Sequence, residues 1–506
     1  MLSQDSHARL PGLLRRLLTP SLVDAFFVAL LVAAFLRPGG LQALLADGDA
    51  GWHVRTGQAI LASGKAPTVD PYSFSRAGQP WCDWEWLSDV AFARAYQWRG
   101  MGGAAALAAV VLCLAAAALL LWQLRRGAGL WIALGVTLAA SSASSVHYLA
   151  RPHVFSILLY TLCLWSLDED RRRSRLWIWM LVPVAALWAN LHGGFVALVA
   201  TLALAAAVSA LERGWRQARR YGALALLSLA ATCLNPYGWR LHQHIFEYLN
   251  SSWILNHVQE FQSPEIRSEG MVVFAALLVG GVAAASRALA RGERFEGALA
   301  LAWGFAALRS ARHIPFFAIA AAPVVSGECA RWWRGIAERA PSRSARRVFW
   351  EAGWELGHAP RVSAWLAAGA AVALAVAGVA AEFPASRFPA LAVERNLGLL
   401  APRGAAPRIL TSDQWGDYLI FRFYPRQRVF FDGRSDFYGP ALGTDYTVLA
   451  AAQDGCLKLL DRYRFDAALL PRDWPLGAVL DGNAQWKRAY RDEVATLYVR
   501  QEGVRP

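Results

Sequence analysis

Lysine is almost missing from this 506-residue chain: it stands only at Lys65, Lys458 and Lys487, although lysine and arginine together number 51 and the formal net charge is +14. A basic balance carried by arginine in an alanine-rich chain reflects a GC-rich bacterial genome before it reflects function. Nucleic acid is therefore not an expected partner, because its binders cluster their basic residues on one face. Cysteine is scarce as well. The six are scattered, with no CxxC and no metal-ligand spacing, and Cys113, Cys163 and Cys233 lie in apolar runs, where cysteine acts as a small hydrophobe. Charged residues make up only 17% against 56% hydrophobic, which excludes an ordinary soluble protein. The chain reads as a multi-pass membrane protein.

A span needs about 20 mostly apolar residues, fewer when flanking side chains snorkel. About eleven transmembrane helices are expected, near 20–36, 103–123, 127–147, 153–167, 176–190, 194–211, 221–235, 271–286, 296–308, 314–327 and 362–382. Arginine bias in short loops sets orientation. With the amino terminus cytoplasmic, the inner loops hold 19 arginines (DEDRRRSR, ERGWRQARR and 331–347 among their sources) and the short outer loops five: Arg151, Arg240, Arg267, Arg309 and Arg312. The first stretch, preceded by Arg15 and Arg16, can equally be a signal peptide, which leaves the remaining topology unchanged. The expected location is the bacterial cytoplasmic membrane, with the bilayer as the first partner.

This topology gathers the polar motifs at the outer surface: DGDAGWHVR, YLARPH, WANLHGG, LNPYGWRLHQH, RSARH and everything after 383. The loop 38–102 is too long for a connector. Two short helices lying in the interface are expected there, around Trp52–Leu61 and in WCDWEWLSDVAFARAYQW, whose tryptophans suit the headgroup region. TVDPYSFSRAGQPW between them reads as an ordered loop. Asp47 and Asp49 are separated by one glycine beside His53 and Arg55. Such a pair can hold a divalent cation, Mg or Mn, against a phosphate, or one member can act as base toward an acceptor hydroxyl. A polar cap on the exit of the first span explains the same residues.

DGDAGWHVRTGQAIL, directly after the first span and followed by interfacial helices, resembles the acidic first-loop motif of the GT-C superfamily of membrane glycosyltransferases. That superfamily includes oligosaccharyltransferase catalytic subunits, protein O-mannosyltransferases and lipid A aminoarabinose transferases. The resemblance implies a GT-C-like transmembrane domain over 1–383 and an outer-face α/β domain over 384–506. It also implies a sugar taken from a polyprenyl-phosphate or polyprenyl-diphosphate donor and passed to a protein, lipid or glycan acceptor on the outer face. Asp47 or Asp49, with Asp49 favoured, would be the catalytic carboxylate. ILTSDQWGDYLIFRF is similar to the segment around the WWDYG motif of oligosaccharyltransferases, a strand running into a helix; Trp415, Asp417 and Tyr418 would be the acceptor-reading counterparts. The order WGDY does not carry peptide-sequon recognition over.

Arginine forks suit phosphate oxygens, so His53, Arg55, Arg151, His153, Arg309, Arg312 and His313 are candidates for the donor phosphate, against a bland reading as headgroup anchors. Asn190 and His192 precede Gly193 and Gly194, which allow a tight turn or close approach; they, with Glu260, Asp432 and Arg434, are candidate acceptor contacts. His242, His244, His257 and Glu260 match no strong zinc spacing. Strands are expected in RILT, RVFFDG, FDAALLP and ATLYVR, and a helix in GCLKLLDRYRF, after a linker EFPASRFPALAVE. Cys82 and Cys456 both fall outside and could pair. A flippase of lipid-linked sugars, a polysaccharide polymerase or ligase, and an idle assembly protein remain open. The flippase would be expected to carry deep charges and repeated halves, whereas Asp24 is almost alone and no internal repeat is visible.

Overall fold

The fifteen residues Leu22–Leu36, apolar apart from Asp24, make about 22 Å of helix at 1.5 Å per residue, short of a bilayer core of about 30 Å. Most of the apolar helices here are of that kind. The computed structural model describes residues 18–268, 270–358, 361–376, 381–401 and 406–501. It places a helix over each stretch expected to span: Leu22–Leu36, Trp86–Arg125, Leu130–Ser144, His153–Arg173, Leu181–Leu191, Phe195–Leu211, Trp215–Ala231, Met271–Ala290, Arg294–Arg309, Ile314–Arg339 and Ala364–Val376. Among the described residues, four segments are long and apolar enough to cross a membrane alone, those at 86–125, 130–147, 271–290 and 311–339. Arg15, Arg16 and the later part of the 362–382 stretch lie outside the described residues.

Asp24 is not inside an apolar run. It sits in the first turn of its helix, where its carboxylate accepts the Ser21 N–H at 2.7 Å and the Ser363 hydroxyl at 2.8 Å, joining the first and last apolar helices. At the helix ends remote from DGDAGWHVR, arginines find carboxylates rather than water alone: Arg126 and Arg172 on Asp168 at 2.9 and 3.2 Å, Arg220 on Asp170 at 2.8 Å.

Asp49–Ser63 is helical, as its spacing predicts, but it does not lie in an interface. Trp52, His53, Val54 and Ile60 are buried in protein, between the helices Trp86–Arg125 and Asp413–Phe423. Glycine makes that approach feasible: a Cβ on Gly57 would come within 1.9 Å of the Asp89 carbonyl oxygen. Gly57→Val is therefore expected to cost at least the about 1–3 kcal/mol of an overpacked core, visible as a lowered midpoint in a thermal melt of the detergent-solubilised protein. WCDWEW is also inside, and its helix begins only at Trp86 and continues past a kink at Arg99 and Gly100 into the next apolar helix. TVDPYSFSRAGQPW is an ordered loop, with the Asp70 carboxylate accepting the Tyr72 and Ser73 N–H groups and a Val69–Pro80 bridge.

The C-terminal region forms a four-stranded sheet, β1 (Ile409–Leu410), β2 (Ala467–Pro471), β3 (Trp486–Arg491) and β4 (Ala495–Arg500), in the order β1-β2-β4-β3. β1 and β2 are parallel and the other pairs antiparallel, with Leu469 opposite Leu497. RVFFDG forms no strand; it meets the first loop through one Ser73–Val429 bridge. EFPASRFPALAVE does not behave as a free linker, because Phe383 and Phe388 are buried against Tyr418. One hydrophobic core runs from the apolar helices through the first long loop into the sheet. All six cysteines are free, so Cys82 and Cys456 do not pair.

Candidate active site

Asp49 opens its helix at the wall of a cavity of about 220 Å³, to which separate segments contribute: Arg151 and His153, His192, Tyr248 and Glu260, Arg312 and His313, and Arg434. The Arg151 guanidinium is 2.7 Å from one Asp49 oxygen and 3.3 Å from Asp47. Asp47 also accepts the Asp49 N–H at 2.9 Å, so it fixes the first turn and Arg151 and does not itself line the cavity. The other Asp49 oxygen is buried and faces the Asp417 carboxyl. Gly433 closes over it so tightly that a Cβ there would come within 2.0 Å. Burial pushes the Asp49 carboxyl up to about 7; Arg151 opposes the rise and Asp47 adds to it.

Asp417 stands behind Asp49 and does not line the cavity. It accepts the Gly433 N–H at 3.0 Å, and burial together with the Asp49 charge holds its carboxyl well above the usual range. Glu260 behaves oppositely: burial pushes it up, but Arg312 and Arg151 overcome that and hold it at about 2. Arg312 lies 4.2 Å over the Phe261 ring and donates to the Tyr248 hydroxyl at 3.5 Å. Its guanidinium thus lies in the cavity between Tyr248, Phe261 and the charge of Glu260. His192 accepts the Gly194 N–H on Nδ1 at 2.9 Å, so its neutral ring carries the proton on Nε2, 3.5 Å from Glu85.

Several expected contacts serve the fold instead. His53 is buried behind Trp52 with Nδ1 2.6 Å from Asp89. Arg55 spends Nε and Nη2 on the Phe421 carbonyl and Nη1 on Gln58, clamping the first loop to the C-terminal region. Arg309 is exposed at its helix end, off the cavity. Asn190 accepts the Trp86 indole N–H at 2.8 Å and donates to the Ala186 and Leu234 carbonyls. Trp415 donates to the Arg387 carbonyl, and Tyr418 packs on Phe383. Asp432 is taken by Arg434 at 2.9 and 2.7 Å and by the Tyr438 hydroxyl at 2.6 Å. Arg434 reaches the cavity, yet its guanidinium is also 2.9 Å from Asp70 and 4.5 Å over Trp81, which leaves it a strut.

The cavity also holds His147, Asp83, Glu85, Tyr248 and Trp303, which the sequence reading passed over. The available signal for two of them was WCDWEW: carboxylates between tryptophans in an apolar chain are costly unless used. His242, His244 and His257 go to Thr232, Asp436 and the Trp253 carbonyl. Among the described residues no group of three or more His, Cys, Asp or Glu converges as a metal site. With Arg151 already on Asp49 and the Gly433 backbone against its other oxygen, the residues present do not fit a resident divalent cation.

The arrangement of the helical bundle, the acidic helix start in the first long loop and the C-terminal sheet is similar to that of proteins already solved. Two solved structures carry that likeness. One is ArnT from Cupriavidus metallidurans bound to undecaprenyl phosphate, at 14% identity and TM-score 0.51, covering 95% of this chain and 98% of that one. The other is the oligosaccharyltransferase AglB from Archaeoglobus fulgidus in complex with an inhibitory peptide and a dolichol-phosphate, at 12% identity and TM-score 0.55, covering 96% and 74%. By sequence, the undecaprenyl phosphate-alpha-4-amino-4-deoxy-L-arabinose arabinosyl transferase of Pseudomonas aeruginosa is 32% identical over 108 residues, 21% of this chain. The match spans only 20% of that relative's length. No protein-family model matches the chain.

Proposed function

We propose that the protein is a membrane glycosyltransferase that takes a sugar from a polyprenyl-phosphate-type donor, with its cavity open to the outer face of the cytoplasmic membrane. The observation that carries this reading is that Asp49, a buried carboxyl held by Arg151, lines the same cavity as the guanidinium of Arg312. A base and a phosphate-binding fork in one cavity are what transfer from a lipid phosphate needs. The acceptor hydroxyl or amine attacks the anomeric carbon and the bond from that carbon to the phosphate oxygen breaks. The configuration inverts, the acceptor proton passes to Asp49, and the polyprenyl phosphate leaves against Arg312. Arg151 steadies the ionised Asp49. The acceptor is a protein, lipid or glycan presented from that same side.

Two outcomes test this. Arg312→Ala is expected to raise the Kd for undecaprenyl phosphate in nanodiscs by about tenfold or more, the loss of a charge-assisted hydrogen bond; an unchanged Kd would remove Arg312 from the phosphate site. A base must be ionised to act, and the Asp49 carboxyl is held at about 7. Transfer should therefore fall about tenfold per pH unit below neutrality and level off above it, which a pH–rate profile of the reconstituted protein would check.

A further inference from the structure

We propose that Trp52, Asp83, Trp84 and Glu85 form the sugar subsite of the cavity, holding the hydroxylated ring of the lipid-linked donor beside Asp49; this rests on the glycosyltransferase reading above. All four line the cavity together with Asp49. Asp49 and Trp52 stand three residues apart on one helix and so share a face.

Unsatisfied polar atoms define the chemistry of the occupant. Asp83 is 1% exposed and neither of its carboxylate oxygens has a hydrogen-bond partner, while the Trp52 indole N–H is likewise buried and unpaired. Such groups are costly to leave unpaired. Asp83 also approaches the Asp89 carboxyl and the Glu85 backbone N–H. Glu85 has only the long 3.5 Å approach of His192 Nε2 and a 3.9 Å approach of the buried His53. The wall thus needs donors for its acids and an acceptor for its indole at the same time. A phosphate supplies acceptors only and an ammonium donors only, whereas sugar hydroxyls supply both.

The aromatic part fits the same ligand. Trp84 is half-buried and pinned edge-on by Tyr248 and His244 at 5.4 and 5.6 Å. It lies so close to Gly193 that a Cβ there would come within 2.5 Å of its ring. A rigid indole beside fixed polar groups is the usual make-up of a small-molecule subsite. Arg312 comes from another segment of the cavity lining, so phosphate and sugar ring have separate walls.

The test is equilibrium binding to the full chain in nanodiscs. The probes are undecaprenyl phosphate alone and the same lipid phosphate bearing glucose, mannose, galactose, N-acetylglucosamine or 4-amino-4-deoxyarabinose. Wild type is expected to bind at least one sugar-bearing lipid about tenfold more tightly than the bare lipid phosphate. Asp83→Asn and Trp84→Leu should each remove that gain and leave the bare-lipid Kd within about twofold. A gain that survives both substitutions, or a panel in which no sugar adds affinity, overturns the subsite while the lipid-phosphate reading stands. Loss of bare-lipid binding in either variant also overturns it, since the residue would then hold the phosphate or the fold. Failure of wild type to bind undecaprenyl phosphate removes the glycosyltransferase reading and the subsite with it.

Discussion

Asp49→Asn is expected to lower the rate of sugar transfer by about 10²–10⁴-fold, the usual worth of a general base, while leaving the Kd for undecaprenyl phosphate within about threefold. The split follows from the geometry. Asparagine keeps the size of aspartate and can still face Arg151 through its amide oxygen, 2.7 Å away in the wild-type ion pair. Its amide cannot take the acceptor proton, as a carboxylate does. Single-turnover transfer and equilibrium binding, measured on the same reconstituted sample, separate the two effects. If the variant transfers at the wild-type rate, Asp49 is not the base. If it loses lipid binding instead, its pairing with Arg151 builds the phosphate site.

The second large effect is on stability. Arg434→Leu should destabilise the protein by about 3–5 kcal/mol, the cost of stranding the partner of a buried ion pair. Asp432 and Asp70 are both fully buried and both rely on this guanidinium, at 2.7 and 2.9 Å. The strut joins the first long loop to the C-terminal region, so both are expected to loosen together. Thermal unfolding and limited proteolysis in detergent would register this. Arg434→Lys should recover only part of the loss, since an ammonium cannot reproduce the bidentate grip on Asp432. An unaltered melt would mean that the two carboxylates are held by something else.

The sequence revealed the apolar helices because each is a long run of one kind of residue, and helices stand where all eleven stretches were expected. It also revealed the strand-to-helix passage into WGDY and three of the four strands. What it could not reveal is which face of a polar motif looks inward. His53, Arg55 and Asp49 lie on one short helix; two are spent on packing and only Asp49 reaches the cavity. The tryptophans of WCDWEW resemble headgroup anchors by composition, and only the packed structure shows Trp81 and Trp84 sharing a cavity wall with Asp83 and Glu85. Arg434 and Arg312 likewise sit in similar arginine-bearing motifs. The difference between strut and free fork depends on Asp432 and Asp70, which no local spacing links to the cavity.

The most direct test of the central claim is a surface-glycan and lipid-linked-sugar profile of a deletion strain complemented with wild type or with Asp49→Asn. The deletion is expected to lose a glycan and accumulate its lipid-linked donor, and only wild type is expected to restore both. Full complementation by Asp49→Asn would contradict transfer chemistry at this carboxylate.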